Sequence, residues 1–340
     1  MINTVYKLIS PKHFEKVFQE LEIKDNVIVR PTHLSICNAD QRYYQGSRSP
    51  EILNEKLPMA LIHEAIGEVI YDDTGTYKPK DKVILIPILP KEKDNIVDEN
   101  YLESSLFKSS DCDGFMCDYI SIKPDRLIKI PENSNLNLYS FTELITVAYQ
   151  TIKRFEQYSN PNKNTIGVWG DGNLGYILSL LLKVLYPNSE IIIFGVNVDK
   201  LEMFSFADKT YLINEIPENL RIDHGFEAVG GLNSQDAINQ IINIIKPKGT
   251  IALLGVSEHP IQLNTRKILE KGLVLYGTTR SSREDFKETL DLIQENPEVI
   301  DYLENIINKT MEIDNITDIV DVFDEDFNNN FGKTILLWNI

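Results

Sequence analysis

The chain has 340 residues and a formal net charge of −17, and 42% of its residues are hydrophobic. That hydrophobic share is typical of a folded protein, and the acidic balance argues against non-specific binding to nucleic acid or to an anionic membrane surface. Three cysteines form an odd, sparse set, which excludes a disulfide framework. Because residues 1–16 also lack the apolar core of a signal peptide, we expect a reducing, cytoplasmic protein.

The first 145 residues have the pattern of short strands separated by turns. Runs rich in β-branched residues, bounded by Gly, Asp and Pro, predict strands at 26–30, 65–71, 81–88, 118–122 and 126–130. This pattern indicates a β-rich domain.

From about residue 140 the pattern changes to alternating strands and helices. It predicts helices at 140–158, 173–185, from about 199, and at 234–245, and strands at 165–170, 190–195, 210–213, 225–229, 250–254 and 273–277. Such alternation is typical of an α/β fold with a doubly wound parallel sheet and right-handed crossovers. A final strand at 334–338 ends a segment that we expect to return to the first domain. The predicted domains are therefore 1–145 with 280–340, and 146–279.

A glycine-rich turn lies at the start of the second domain. Gly170, Gly172 and Gly175 have the G-x-G-x-x-G spacing, between a predicted strand and a helix that begins with Asn173 and Leu174. The first glycine permits the turn, the second lets the backbone approach a pyrophosphate, and the third lets helix and strand pack closely. In this context the motif predicts a dinucleotide site at a helix N-terminus.

Two short segments of the first domain carry side chains of the kinds that bind zinc. Cys37 lies in the first, and His63 and Glu64 lie side by side in the second. Taken alone, a buried cysteine is more often a small hydrophobe and a lone histidine a satisfied core residue. Their position ahead of a dinucleotide-binding domain favours a metal site.

Three stretches of the chain resemble a known family. They are 34–44 (LSICNADQRYY), 57–64 (LPMALIHE) and 279–286 (TRSSREDF). They resemble the zinc-dependent medium-chain dehydrogenases/reductases of the polyol dehydrogenase type, and the similarity covers nearly the whole chain. Within that family the sequences of these stretches are most similar to those of the ribulose-5-phosphate reductases. The resemblance implies a GroES-like β-rich catalytic domain and an embedded Rossmann cofactor domain.

The resemblance also implies a catalytic zinc site. Cys37, His63 and Glu64 match three of the family's ligand positions, and Glu143 matches a later one. Glu64 either binds zinc directly or orients another ligand, and the alternative for Glu143 is an acid favoured by a helix N-terminus. One zinc ion per chain is expected, because residues 90–114 contain only Cys112 where many relatives have four cysteines.

A second departure from the family concerns proton transfer. Many relatives have Ser or Thr two residues after the zinc-binding cysteine, where this chain has Ala39. The proton then reaches the substrate through another group. Asp40, Tyr43, Glu64 and a zinc-bound water all remain candidates.

The end of the predicted second strand bears on the choice of cofactor. NAD enzymes usually carry an acid there that binds the ribose 2′-hydroxyl, but this chain has Gly195. Since a glycine leaves room for a 2′-phosphate that Asn197 and Lys200 could contact, we expect NADP(H). The alternative is that Asp199 takes the role of the acid through a shifted loop.

A phosphorylated substrate needs cations on this acidic chain. Arg42 follows the zinc-binding cysteine, and Arg280, Ser281 and Arg283 follow the predicted sixth strand. Guanidinium groups suit phosphate oxygens because they bind them in a bidentate manner. These four residues are the predicted phosphate site, although most arginines are solvated surface residues.

The resemblance implies one reaction and several partners. The reaction is the NADPH-dependent reduction of D-ribulose 5-phosphate to D-ribitol 5-phosphate for CDP-ribitol and teichoic acid or capsule synthesis. A homodimer and a functional link to a cytidylyltransferase are also implied. The alternatives are a zinc polyol or alcohol dehydrogenase that uses NAD and an unphosphorylated substrate, and a non-catalytic dinucleotide-binding protein.

Overall fold

The computed structural model describes residues 2–329 and 331–340, and within them the chain forms two compact units. The strands are β1 (Ile2–Ser10), β2 (His13–Glu20), β3 (Val27–Ser35), β4 (Met59–Ala60), β5 (Glu64–Asp72), β6 (Lys82–Leu85), β7 (Ile88–Leu89), β8 (Leu106–Phe107), β9 (Ile120–Ile122), β10 (Leu127–Lys129), β11 (Thr165–Trp169), β12 (Glu190–Gly195), β13 (Lys209–Leu212), β14 (His224–Glu227), β15 (Thr250–Leu253), β16 (Val274–Gly277), β17 (Ile307–Ile313) and β18 (Lys333–Trp338). The helices are α1 (Asn38–Tyr44), α2 (Pro50–Lys56), α3 (Leu136–Tyr139), α4 (Thr142–Tyr158), α5 (Asn173–Leu185), α6 (Val198–Glu202), α7 (Ser234–Ile244), α8 (Thr265–Lys271), α9 (Arg283–Glu295), α10 (Glu298–Glu304) and α11 (Ile316–Phe327).

The first unit contains the residues up to Leu144 together with Arg280–Asp291 and Leu303–Ile340. Its main sheet has the order β10-β6-β5-β3-β18-β17, with β9 also paired to β3. The returning segment thus joins the centre of the sheet, because β18 lies directly beside β3. Ser35 faces Glu64 on one side and Ile335 on the other, and this register sets the position of the metal-site candidates described below.

The N-terminal hairpin of β1 and β2 is absent from the strand predictions above. Its two strands pair along nearly their whole length, with Val5 opposite Val17. Lys7, Glu15 and Lys16 break up the apolar runs that mark the other strands. The outer face of the hairpin is exposed to solvent, so β1 and β2 carry charged residues where central strands carry apolar ones.

The second unit contains Ile145–Thr279 and Leu292–Tyr302. Its six strands are all parallel in the order β13-β12-β11-β14-β15-β16, so the predicted alternation of strands and helices produced the expected sheet. The sequence places 292–302 in the first domain instead. In the structure the Tyr176 hydroxyl donates a hydrogen bond to the carbonyl of Tyr302 at 3.1 Å, and the Tyr302 ring packs against Phe206.

The order of the sheet fixes where a ligand of the second unit would bind. Chain connections run outward in both directions from β11, so the sheet has a switch point between β11 and β14. Ligands of such sheets bind outside the carboxyl ends of the strands at that point. The turn that begins at Gly170 follows β11 directly. Among the described residues, no helix is both long and apolar enough to cross a membrane.

A buried histidine gives the second unit a predicted dependence of stability on pH. The His224 Nδ1 accepts a hydrogen bond from the backbone N–H of Thr250, so its Nε2 is free to donate to the carbonyl of Asn162. Burial of this neutral ring lowers the pKa of His224 to about 4. The unfolded chain therefore takes up a proton between about pH 6.5 and 4 that the folded chain does not.

We expect the free energy of unfolding to fall as the pH drops through that window, by at most about 1.4 kcal/mol per pH unit for this one group. Urea unfolding of the His224→Gln variant at pH 4.5 to 7 should show a shallower slope than the wild type. The exposed His259→Gln is the matched control. An unchanged slope in His224→Gln would contradict this account.

Candidate active site

Three of the predicted zinc ligands lie together in the first unit. The ligand atoms of Cys37, His63 and Glu64 are all within 4.8 Å of one another. Cys37 follows the end of β3 and precedes α1, whereas Glu64 begins β5 directly after His63. The antiparallel pairing of Ser35 with Glu64 brings the two segments side by side, so a sequence separation of about 25 residues becomes a single cluster.

The fourth predicted ligand approaches the same histidine from a helix. Glu143 lies in the first turn of α4, and its Oε2 is 4.0 Å from His63 Nε2. Its carboxyl group is buried, which is unlike the solvated acid that a helix N-terminus alone would favour. Thiolate, imidazole and carboxylate are the donors that zinc takes in proteins, and the set present here fits that ion.

Asp40 lies on the other side of the imidazole ring. Its side chain is fully buried, and its Oδ1 is 3.6 Å from His63 Nδ1. The same oxygen accepts hydrogen bonds from the Ser109 hydroxyl at 2.6 Å and the Ile62 backbone at 2.9 Å. A carboxylate held in this way orients the ring so that Nε2 faces the other donors. This position differs from that of a proton relay, which has to meet the substrate.

Lys333 is a member of the site that the sequence did not single out. Its side chain is 1% exposed, with Nζ 2.8 Å from Glu64 Oε2 and 2.7 Å from the carbonyl of Ile36, to which it donates. It opens β18, whose central residues are paired with β3. Almost all lysines are exposed unless they are paired, so this ammonium group is present to balance the buried carboxylate.

The electrostatics of the cluster favour a bound cation. Burial raises the pKa of Glu143 to about 7, partly offset by His63. Burial likewise raises the pKa of Glu64, against the opposing effect of Lys333. For His63 the effect of burial is opposed and exceeded by the attraction of Asp40, so its pKa is well above its usual value. Three buried carboxylates share too little positive charge in the protein alone, and a divalent ion would supply it.

One of the predicted phosphate ligands lies near this cluster. The Arg280 guanidinium is 4.8 Å from the centre of the Phe107 ring, and the same ring is 5.3 Å from that of His63. Its Nη2 is also 3.3 Å from Asp111 Oδ2. Arg280 has a φ of 56°, a conformation that is uncommon outside glycine and is often found at functional sites.

The other predicted phosphate ligands do not gather around Arg280. Arg283 lines a separate cavity of about 430 Å³ with three lysines, Lys78, Lys129 and Lys287. None of the described residues that line this cavity belongs to the donor cluster, and Arg280 is not among them. The two arginines are three residues apart, and a helix begins at Arg283.

Ser281 and Arg42 are the remaining predicted phosphate ligands. The Ser281 side chain is 1% exposed, and its hydroxyl has no hydrogen-bond partner among the described residues. Arg42 is half-buried in the last turn of α1, the helix that Cys37 precedes. Of the four predicted phosphate ligands, Arg280 is therefore the one that the contacts tie to the donor cluster.

The glycine turn of the second unit has the shape that a pyrophosphate needs. A Cβ at Gly175 would lie 2.0 Å from the carbonyl oxygen of Gly170, and one at Gly170 would lie 2.8 Å from the carbonyl oxygen of Ala228. At Gly172, by contrast, a Cβ would meet nothing within 4 Å. The first and third glycines thus allow close packing, and the second faces open space at the N-terminus of α5.

The end of the second strand lies against the glycine turn. A Cβ at Gly195 would lie 2.8 Å from both Cβ and Oδ2 of Asp171. The space next to the Gly195 Cα is therefore occupied by the Asp171 carboxylate, which the sequence did not indicate. Asn197 accepts a hydrogen bond from the backbone N–H of Lys200 at 3.1 Å through its Oδ1 and so caps α6. Its Nδ2 is the atom that would donate to a phosphate.

Comparison with known proteins places the chain in a family. Residues 23–132 match the model of the alcohol dehydrogenase GroES-like domain, and residues 207–295 match that of the zinc-binding dehydrogenases. These matches confirm the predicted combination of a GroES-like domain with a Rossmann domain.

Curated proteins and solved structures extend that match to full length. The chain is 50% identical to the ribulose-5-phosphate reductase of Bacillus spizizenii, with 100% of both chains covered, and 50% identical to ribulose-5-phosphate reductase 1 of Staphylococcus aureus, with 99% covered. The crystal structure of S. aureus TarJ in complex with NADPH superposes with a TM-score of 0.89 at 45% identity over 100% of both chains. The chain belongs to the ribulose-5-phosphate reductase family of the zinc-binding dehydrogenases.

Proposed function

We propose that this chain reduces the C2 ketone of D-ribulose 5-phosphate to the secondary alcohol of D-ribitol 5-phosphate, with NADPH as the reductant and uptake of one proton. The observation that carries the proposal is the cluster of Cys37, His63 and Glu64 in a chain with two full-length relatives named for this reaction. The product would feed CDP-ribitol formation for teichoic acid or capsule.

The metal in this proposal is one zinc ion held by Cys37 and His63 together with one or both of Glu64 and Glu143. When bound, zinc acts as a Lewis acid that polarises a carbonyl oxygen. Asp40 holds the His63 ring in orientation from its Nδ1 side. Lys333 favours the ionised form of the Glu64 carboxylate and holds it in place through their 2.8 Å contact. These two residues act through the donors and do not touch the substrate.

The remaining residues bind and orient the two organic molecules. Gly170, Gly172 and Gly175 form the turn for the pyrophosphate, next to Asn173 and Leu174 at the start of α5. NADPH, when bound, supplies the hydride. Arg280 binds the substrate phosphate. Since both carboxylate oxygens of Asp40 already accept hydrogen bonds within the protein, the proton comes through Tyr43, Glu64 or water.

The first test is turnover with matched pairs of substrates. Purified protein should oxidise NADPH in the presence of ribulose 5-phosphate. The loss of the near-ultraviolet absorbance of the reduced nicotinamide measures this reaction. The protein should lose this activity with a strong chelator and regain it with added zinc. Ribulose without the phosphate should be a much poorer substrate. Equal turnover of ribulose, and preference for NADH, would instead support a polyol dehydrogenase.

A second test concerns the substrate phosphate. Arg280→Ala removes a guanidinium that can form charge-assisted hydrogen bonds, so we expect KM for ribulose 5-phosphate to rise by about tenfold to a hundredfold. The Kd for NADPH should stay unchanged. Arg266→Ala is the matched control, because Arg266 makes an exposed ion pair with Glu270 on α8. If KM is the same in both variants, Arg280 is not the phosphate ligand.

The proposal also covers the location of the chain, its oligomeric state and the enzyme that uses its product. The chain works in the cytoplasm, it forms a homodimer, and its product passes to a cytidylyltransferase. Light scattering on purified protein at micromolar concentration tests the dimer, and a monomer of one chain's mass would contradict it. A coupled assay with CTP and a ribitol-phosphate cytidylyltransferase tests the last feature.

A further inference from the structure

Asp171 reaches from the glycine turn to the end of the neighbouring strand. It lies between Gly170 and Gly172, and its Oδ2 accepts hydrogen bonds from the backbone N–H groups of Val196 at 2.7 Å and Asn197 at 2.9 Å. Any side chain at Gly195 would collide with it. A carboxylate from the first turn thus occupies the place that a side chain at the end of β12 would take.

The second oxygen of this carboxylate remains available. Within residues 2–329 and 331–340, no group donates a hydrogen bond to Asp171 Oδ1 and no Lys or Arg forms an ion pair with Asp171. The side chain is half-buried, so the charge is partly shielded from water. It lies outside the carboxyl ends of β11 and β12, on the side of the sheet where a dinucleotide binds.

An acid at this place has a known chemical consequence in dinucleotide-binding sheets. A carboxylate at the end of the second strand accepts a hydrogen bond from the ribose 2′-hydroxyl of NAD, whereas a cation there accommodates the 2′-phosphate of NADP. A carboxylate and a phosphate at hydrogen-bond distance repel each other. The element of the chain from which the carboxylate comes does not alter this electrostatic effect.

We propose that Asp171 is a specificity-determining residue of the cofactor site, whose free oxygen accepts the ribose 2′-hydroxyl of NADH and disfavours the 2′-phosphate of NADPH. The proposal rests on the proposed function, because it assumes that a reduced nicotinamide dinucleotide binds at the glycine turn. It implies that the wild-type chain binds both coenzymes and that this one carboxylate lowers the ratio of its affinity for NADPH to its affinity for NADH.

The informative variant is Asp171→Asn. In the wild type a single oxygen, Oδ2 of Asp171, accepts hydrogen bonds from both backbone N–H groups. An asparagine Oδ1 can do the same, so the conformation of the loop is retained. The charge is lost, and the amide can donate a hydrogen bond to a phosphate. We expect Kd for NADPH to fall, Kd for NADH to rise, and their ratio to shift by about tenfold or more towards NADPH.

The readout is direct binding, by titration of nicotinamide fluorescence with NADPH and with NADH in the absence of sugar phosphate. Asp199→Asn is the matched control, since Asp199 is an exposed acid in the first turn of α6 a few residues away. Asp171→Ala, which removes the loop contacts as well as the charge, should weaken NADH binding further than Asp171→Asn does.

The outcomes separate this inference from the proposed function. Equal fold-changes in both Kd values would show that Asp171 only shapes the loop, and no change in either Kd would show that it has no role. Either result overturns the inference and leaves the reduction of ribulose 5-phosphate intact. A shift with Asp199→Asn and none with Asp171→Asn would also overturn it. If the wild type binds both coenzymes but does not turn over ribulose 5-phosphate, the proposed function fails and the ratio still decides the inference.

Discussion

Cys37→Ala is expected to abolish both stoichiometric zinc binding and turnover. The thiolate is the softest donor of the cluster, and His63 and the carboxylates alone form a weaker site for zinc. Loss of carbonyl polarisation costs several kcal/mol of transition-state stabilisation, so we expect kcat/KM to fall by about 10³-fold or more. Metal analysis of dialysed protein should drop from one zinc ion per chain towards zero.

The chain provides a matched control for this substitution. Cys112 is half-buried in the same unit, and its thiol lies outside the donor cluster. Cys112→Ala should therefore keep its zinc and its activity. Full activity in a Cys37→Ala variant that keeps its zinc would rule out the metal site proposed here. Loss of zinc with activity retained would show that Cys37 binds the ion but that the ion does not act on the carbonyl.

The donors of this site could be predicted because the information is local. Cys37 lies two residues beyond the end of β3, and His63 and Glu64 are adjacent at the start of β5, so correct strand assignments bring them together. The same is true of the glycine turn, whose strand and helix are both strongly patterned. The family resemblance then supplied Glu143, which no local pattern connects to His63.

The residues that support the donors could not be predicted in the same way. Lys333 is separated from Glu64 by most of the chain, and only the pairing of β18 beside β3 puts it under the site. Ser109 meets Asp40 from a loop that carries no regular pattern. Asp171 fills the space beside Gly195 because of a turn geometry that residue spacing does not encode. Arg283 begins a helix and lines a cavity that does not include Arg280, which their spacing in the sequence does not reveal.

The contact between Lys333 and Glu64 leads to the second large prediction. Both side chains are almost completely buried, with exposures of 1% and 0%. Burial lowers the pKa of Lys333, but the charge of the Glu64 carboxylate and its hydrogen bond oppose this effect, and the pKa lies above its usual value. Lys333 is therefore charged at neutral pH, and its removal leaves a buried carboxylate without its counter-ion.

We expect Lys333→Met to lower the free energy of unfolding of the chelated, zinc-free protein by about 3–5 kcal/mol. Lys333→Met combined with Glu64→Gln should recover much of this loss, because the double variant no longer buries an unpaired charge. The control is Lys12→Met, which breaks an exposed ion pair with Asp324 and should cost about 1 kcal/mol or less. Urea unfolding at about pH 7.5 measures the free energy of unfolding of the wild type and of the three variants.

The zinc-loaded protein gives a further test of the same pair. A divalent cation next to Glu64 supplies the positive charge that Lys333→Met removes, so saturating zinc should restore more stability to the variant than to the wild type. That result would mean that Lys333 holds the carboxylate ready until the metal arrives. Equal stabilisation of both proteins by zinc would show that Glu64 stays with Lys333 and does not approach the ion, leaving Glu143 as the acidic ligand.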